Sequence, residues 1–157
     1  IPLTVGGGIK NQDNISDLLR AGADKVAINT AAINNPSLIK EAARKYGSQC
    51  IVISIEAKQK LDGSYEAYVD NGRERTGVEV FSWAKRAEEL GAGEIMITSI
   101  DREGTGKGFD LELTKRVSES VSIPVIACGG PGSVNDVVQV ISEAKADRGE
   151  AAVEEEE

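Results

Sequence analysis

"QCIVISIEA", residues 49–57, is the strongest strand signal in the chain. It is rich in β-branched residues, has no breaker, and is apolar on both alternations. A strand with a solvent face would alternate apolar and polar. Apolar residues on both faces predict burial on both, as in a parallel sheet. The segments on either side decide which parallel fold this is.

Upstream, "IPLTV" (1–5) and "KVAIN" (25–29) read as strands. Between them "NQDNISDLLRAG" (11–22) places Ile15, Leu18 and Leu19 at helical spacing, with an Asn or Asp cap and a closing Gly22. "NPSLIKEAARKYG" (35–47) predicts a helix with Pro36 in its first turn and Gly47 just past its end. Downstream, residues 58–77 carry Asp70-Asn71-Gly72 between alternating segments, which predicts a two-stranded hairpin excursion. Helix "EVFSWAKRAEELG" (79–91), strand "EIMITSI" (94–100), helix "DLELTKRVSESV" (110–121), strand "IPVIACGG" (123–130) and helix "SVNDVVQVISEA" (133–144) follow, the last capped by Ser133.

Five strands and five helices in alternation predict a parallel sheet with right-handed crossovers. "AGADKVAIN" echoes "LGAGEIMIT", and the Ile-Pro strands at 1 and 123 both end in glycines. Such self-similarity favours a partial (β/α)8 barrel over a Rossmann sheet. A closed barrel takes eight units and about 250 residues, so five units leave it open. The expected domain is 1–145. The stretch "KADRGEAAVEEEE" carries no apolar pattern, and 146–157 reads as a disordered acidic tail. The chain begins inside an apolar run and without methionine, which points to a fragment or a processed product with no signal peptide.

Composition narrows the function. The 157 residues are 40% hydrophobic and 28% charged, as in ordinary globular domains. No apolar run approaches the roughly 18 residues of a membrane span. A net charge of −8, with five glutamates in the last eight residues, offers no basic footprint for nucleic acid. Cys50 and Cys128 sit in apolar runs and read as reduced core residues, consistent with the cytoplasm. There is no histidine, which excludes histidine triads, histidine-ligated zinc and a histidine base. Chemistry falls to carboxylates, lysines, hydroxyls, cysteine and backbone. The reading calls for no cofactor and no metal.

In parallel α/β folds ligands gather at the carboxyl ends of the strands. The candidates there are Gly6, Gly7 and Gly8; Asn29 and Thr30; Glu56 and Lys58; Thr98, Ser99 and Asp101 to Gly104; and Cys128, Gly129 and Gly130. Glycines before a helix admit an anion to the backbone N–H groups, although tight turns want glycine in any case. Two such ends fit a ligand with an anionic group at each end. Glu56 reads either as a general acid–base or as half of an ion pair with Lys58 or another strand-end lysine. Lys25 and Glu94 precede their strands and read as structural or interface residues.

"TVGGGIK", "GADKVAINTAA", "NPSLI", "GSQCIVISIEAK", "GAGEIMITSIDREGTGKGFD" and "IPVIACGGPG" closely resemble the cyclase subunit of imidazole glycerol phosphate synthase, the HisF family, from residue 1 to about 144. The resemblance implies a (β/α)8 barrel. It implies ammonia, delivered by a HisH-like glutaminase subunit, converting a phosphorylated ribulosyl intermediate into imidazole glycerol phosphate and an aminoimidazole carboxamide ribotide. It places Gly8, Asn29 and Thr30 at one phosphate and Gly104 and Gly130 at part of the other, with Gly7, Glu103 and Gly129 among the phosphate- or substrate-binding residues. It makes Gln49, Thr98 and Cys128 pocket residues, and Lys25 and Glu94 residues of the barrel bottom where ammonia enters.

The departures from the pattern are specific. The family's catalytic pair is two aspartates; the fifth-strand position is Glu56 here, and the first strand is not in the sequence. Glu103 likewise stands where aspartate is usual, and no eighth strand is expected. These imply a chain of weak activity, or none, by itself. Two further readings follow: a cyclase-like partner of an amidotransferase in surface-sugar amidation, or a non-catalytic partial barrel. Open sheet edges favour a homo-oligomer.

Overall fold

In the structure, a computed structural model that describes residues 1–150, the chain runs β1 (Thr4–Gly6), α1 (Gln12–Arg20), β2 (Lys25–Ile28), α2 (Thr30–Asn34), α3 (Ser37–Tyr46), β3 (Ile51–Gln59), β4 (Tyr65–Val69), β5 (Glu74–Glu79), α4 (Val80–Leu90), β6 (Glu94–Ser99), α5 (Leu111–Ser120), β7 (Val125–Cys128), α6 (Val134–Ala144) and β8 (Arg148–Glu150). The helices begin where the sequence supplies caps. Asn11 accepts from the Asn14 N–H, Glu79 from Phe81 and Ser82, and Asp110 from Leu113. Ser133 and Asp136 form a reciprocal capping box. At the other end Gly91 closes α4 in the left-handed region, φ 110°.

The main sheet has the order β1-β2-β3-β6-β7-β8, all parallel. That order never reverses, and no strand inserts between earlier ones. A Rossmann sheet has a reversal and helices on both faces. Here the packing is one-sided. Ile51, Ile53, Ile55 and Ala57 of β3 are buried in one cluster with Ile15 of α1, Ile39 of α3, Val80 of α4 and Val117 of α5. The other alternation of β3 carries Ser54 and Glu56, both half-buried. Sequential parallel strands with helices on a single face are the layout of a (β/α) barrel wall, opened out. Among the described residues no helix is long and apolar enough to cross a membrane.

The excursion after β3 is present and larger than expected. The carboxyl end of β3 pairs antiparallel with β4, and β4 with β5. The Asp70-Asn71-Gly72 turn has all three residues left-handed, at φ 51°, 54° and 73°, a conformation these residue types tolerate better than others.

Several boundaries differ from the sequence expectation. The stretch from 49 does not start in strand: Ser48–Cys50 is a 3-10 turn, and β3 begins at Ile51. "TAAIN" forms the short helix α2, too short at five residues to show an amphipathic period in the sequence. β7 stops at Cys128, since Gly129 and Gly130 take φ 85° and 105°. A sixth parallel strand, β8, lies within the segment expected to be tail, and Ala146 is buried ahead of it. Its backbone pairs with β7 from Ile126 to Cys128, and the Asp147 N–H bonds to the Val125 carbonyl at 2.9 Å. Backbone pairing asks nothing of side-chain polarity, so a strand forms here without an apolar run. Residues 151–157 of the expected tail lie outside the described residues.

One contact fixes how α4 hands over to β6. A Cβ on Gly93 would overlap the carbonyl of Ser48, backbone against backbone. Gly93→Ala should therefore lower the unfolding free energy by roughly 2 kcal/mol or more, read from urea midpoints at unchanged slope. A variant as stable as the parent would refute this close approach.

Candidate active site

Because all six strands are parallel, their carboxyl ends share one side of the sheet, and the inner face there forms a cleft of about 700 Å³. Its walls come from five places: the β1–α1 loop (Gly6 to Lys10), the β2 end (Ala27 to Ala31), Asn34 and Asn35 at the end of α2, Ser54 and Glu56 of β3 with Met96 of β6, and the turn residues Asp70 and Asn71.

Glu56 stands at its centre. The register aligns Glu56 with Thr98 and Thr98 with Cys128, so three candidates form one row across β3, β6 and β7. Oε2 of Glu56 accepts two hydrogen bonds, from Asn29 Nδ2 at 3.0 Å and from the Gly72 N–H at 2.9 Å. Lys58 does not pair with it; its ammonium lies 6.0 Å from the centre of the Tyr68 ring. Among the described residues Glu56 forms no ion pair with a lysine. Burial raises the Glu56 pKa above the ordinary 4.5, the Gly72 bond opposes this, the Glu103 carboxylate adds to it, the Asn29 bond opposes, and Asp70 adds. The net direction is upward, toward what a general acid–base needs.

The two glycine ends are built differently. Gly7 and Gly8 take φ 93° and 69°, and a Cβ on either would meet nothing within 4 Å. Their conformation requires glycine while packing does not, which leaves an open backbone cradle facing Thr30 at the start of α2. At the other end Gly129 and Gly130 are filled by protein. A Cβ on Gly129 would sit 2.9 Å from the Ser99 carbonyl oxygen and one on Gly130 2.9 Å from Arg102 Cβ. The Gly108 N–H also bonds to the Gly130 carbonyl at 2.7 Å. These glycines let the 101–108 loop close onto β7. Gly104 is open at φ 70°, and Glu103 beside it is exposed.

Lys25 and Glu94 lie at the opposite end of the strands, as read from the sequence. They form an ion pair, Nζ to Oε2 3.1 Å, with Glu94 buried and Lys25 partly so. Gln49 is a correction. It was placed in the pocket, but it lies in the 3-10 turn ahead of β3, exposed and folded against Gly47, at the Lys25–Glu94 end. Two residues before the start of a parallel strand cannot reach its carboxyl tip. Cys128 is a small packing residue by its apolar run and a pocket residue by resemblance. Its register partner is Thr98, and its half-buried side chain lies on the inner alternation. Asp70 and Gly72 were missed as site residues. "DNG" announced a hairpin, but nothing local says that the hairpin folds back over the rim.

The raised Glu56 pKa has a testable sign. A carboxyl whose folded pKa exceeds its unfolded value stabilises the fold fully below the unfolded value, and that contribution is lost as pH rises through the folded value. Glu56→Gln should therefore gain stability relative to the parent as pH climbs from below 4.5 through the raised value. Urea unfolding across that range measures it. A pH-independent difference would show that the carboxyl is not perturbed.

The histidine biosynthesis protein family matches residues 1–152. Among similar proteins, the imidazole glycerol phosphate synthase subunit HisF of Legionella pneumophila is 62% identical over 136 residues, covering 87% of this chain and 64% of that protein. The HisF subunit of Alkaliphilus metalliredigens is 53% identical over 152 residues, covering 97% and 60%. That of Prochlorococcus marinus is 57% identical over 148 residues, covering 93% and 58%. The chain thus spans about three-fifths of the length of these relatives.

Proposed function

Since this chain belongs to the histidine biosynthesis protein family, we propose that it carries much of a cyclase site that uses ammonia to form imidazole glycerol phosphate, releasing an aminoimidazole carboxamide ribotide. The observation that carries the reading is the pairing of a pK-raised carboxylate with an open glycine cradle in one cleft. Ring closure with ammonia needs protons removed from nitrogen and delivered to departing oxygen. Glu56 does that work as one member of a carboxylate pair. Gly7, Gly8 and the first residues of α2 take one phosphate of the substrate, with the Thr30 hydroxyl as donor. Asn29 serves Glu56 first. The Gly104 end takes the second phosphate, with Thr98, Cys128, Glu103 and the packed Gly129 and Gly130 shaping the floor between.

Ammonia comes from a HisH-like glutaminase, and the Lys25–Glu94 pair marks its port of entry at the far mouth. The names of the relatives as subunits support a complex. The compartment is the cytoplasm, where a charged phosphorylated substrate is retained. The half-exposed inner alternation, including Met96 and Ile126, also supports self-association of this 157-residue chain.

Two experiments test these readings. Titrating labelled chain with imidazole glycerol phosphate should shift the amides of Gly7, Gly8 and Thr30, and Thr30→Val should weaken binding by roughly tenfold, as loss of a hydrogen bond to a charged group does. Shifts confined to other surfaces, or none at millimolar ligand, would overturn the site. Sedimentation should give a species of at least two chains, and a monodisperse monomer would remove the self-association reading.

A further inference from the structure

We propose that the β4–β5 turn, Asp70–Gly72, is a positioning element of the site. Its Gly72 N–H fixes one oxygen of Glu56 and its Asp70 N–H engages the Thr30 hydroxyl, so one rigid turn sets the acid–base group and the anion donor together. The proposal rests on Glu56 and Thr30 having the roles given above.

The geometry is local and specific. Oε2 of Glu56 is occupied by two N–H donors, Gly72 and Asn29. Among the described residues Oε1 has no hydrogen-bond partner. An oxygen with two donors on it is the poorer proton acceptor, so Oε1 is the oxygen that exchanges the proton. On the Thr30 side, the Asp70 N–H lies 3.4 Å from the hydroxyl oxygen. A hydroxyl that accepts there keeps its own hydrogen for a ligand oxygen.

The turn is held firmly enough to position anything. The Arg73 N–H bonds back to the Val69 carbonyl at 3.1 Å. In the hairpin body buried Glu66 takes Arg75 Nε and Nη2 at 3.1 and 3.0 Å and the Gly77 N–H at 2.8 Å. Tyr65 ties the hairpin to α5 through its hydroxyl on Asp110, 3.1 Å, and to α4 by an edge contact with the Phe81 ring. Gly72 itself is required: its φ is 73°, and a Cβ would sit 3.2 Å from Ile100 Cδ1.

The same turn explains why glutamate works at position 56. An aspartate on this backbone would end its carboxylate short by about one carbon–carbon bond, and the Gly72 N–H would lose its acceptor. The charges bearing on Glu56 are Asp70 from the turn and Glu103 from the β6–α5 loop, with Lys10 in the same cleft wall and Lys58 turned to Tyr68.

The test is a pH titration of the full labelled chain by NMR, following the Gly72 amide proton and the Glu56 side-chain carboxyl carbon. The two should share one inflection. It should vanish from Gly72 in Glu56→Gln, shrink to less than half in Glu56→Asp, and move to lower pH in Asp70→Asn. Thr30→Val should move the Asp70 amide and leave the Gly72 inflection in place. A Gly72 amide that stays flat while Glu56 titrates overturns the proposal, and so does an undiminished inflection in Glu56→Asp. None of these readouts needs ligand or turnover. A shared inflection with failed imidazole glycerol phosphate binding would keep the turn and reject the cyclase reading, and the converse would do the opposite.

Discussion

The structure depends on β3 being paired in register on both sides by parallel strands. Val26, Ala27 and Ile28 face Ile51, Val52 and Ile53 on one side, and Glu94 to Ser99 face Val52 to Ala57 on the other. Parallel pairing fixes polarity: all carboxyl ends stand together, and side chains of one parity point the same way. From that single constraint come the rim, the Glu56–Thr98–Cys128 row, and the separation of the Lys25–Glu94 pair to the other end. A one-residue slip would send Glu56 into the helix-packed core and Ile55 into the cleft. The buried isoleucines of β3 make that slip costly, so the core chooses the register and the register places the chemistry.

Electrostatically the cleft is mixed. Glu56, Asp70 and Glu103 crowd one region and push the Glu56 pKa up together with burial. The backbone at Gly7 and Gly8 is open and Lys10 stands on the same wall, which gives the cleft N–H dipoles and a cation beside its carboxylates. The ion pair at the far end stands apart from these groups: Glu94 is buried and the partly exposed Lys25 lies against it.

Much of this was legible in the sequence, and the reasons differ by residue. "QCIVISIEA" gave burial and polarity of the central strand because its branched residues leave few alternatives. Capping residues gave the helix starts at Asn11 and Ser133, whereas the caps Glu79 and Asp110 show only in the structure. Positions just past each apolar run gave the rim, and position before the run gave Lys25 and Glu94. Gln49 failed because it came from resemblance and ran against that positional rule. β8 failed because hydropathy is silent about backbone pairing. The roles of Gly72 and Asp70 were illegible for a third reason: they depend on where a hairpin tip lands relative to a strand sixteen residues away, and no local pattern encodes that.

The most direct measurement of the central claim is paramagnetic broadening from a nitroxide at Asn71→Cys, with Cys50 and Cys128 changed to serine. At about 3.3 Å per residue along a strand, Lys25 to Thr30 and Glu94 to Thr98 span roughly 13–17 Å. The label should broaden the amides of Gly8, Thr30 and Thr98 much more strongly than those of Lys25, Gln49 and Glu94. Equal broadening at both ends, or a sharp Gly8 and Thr30, would contradict a shared rim.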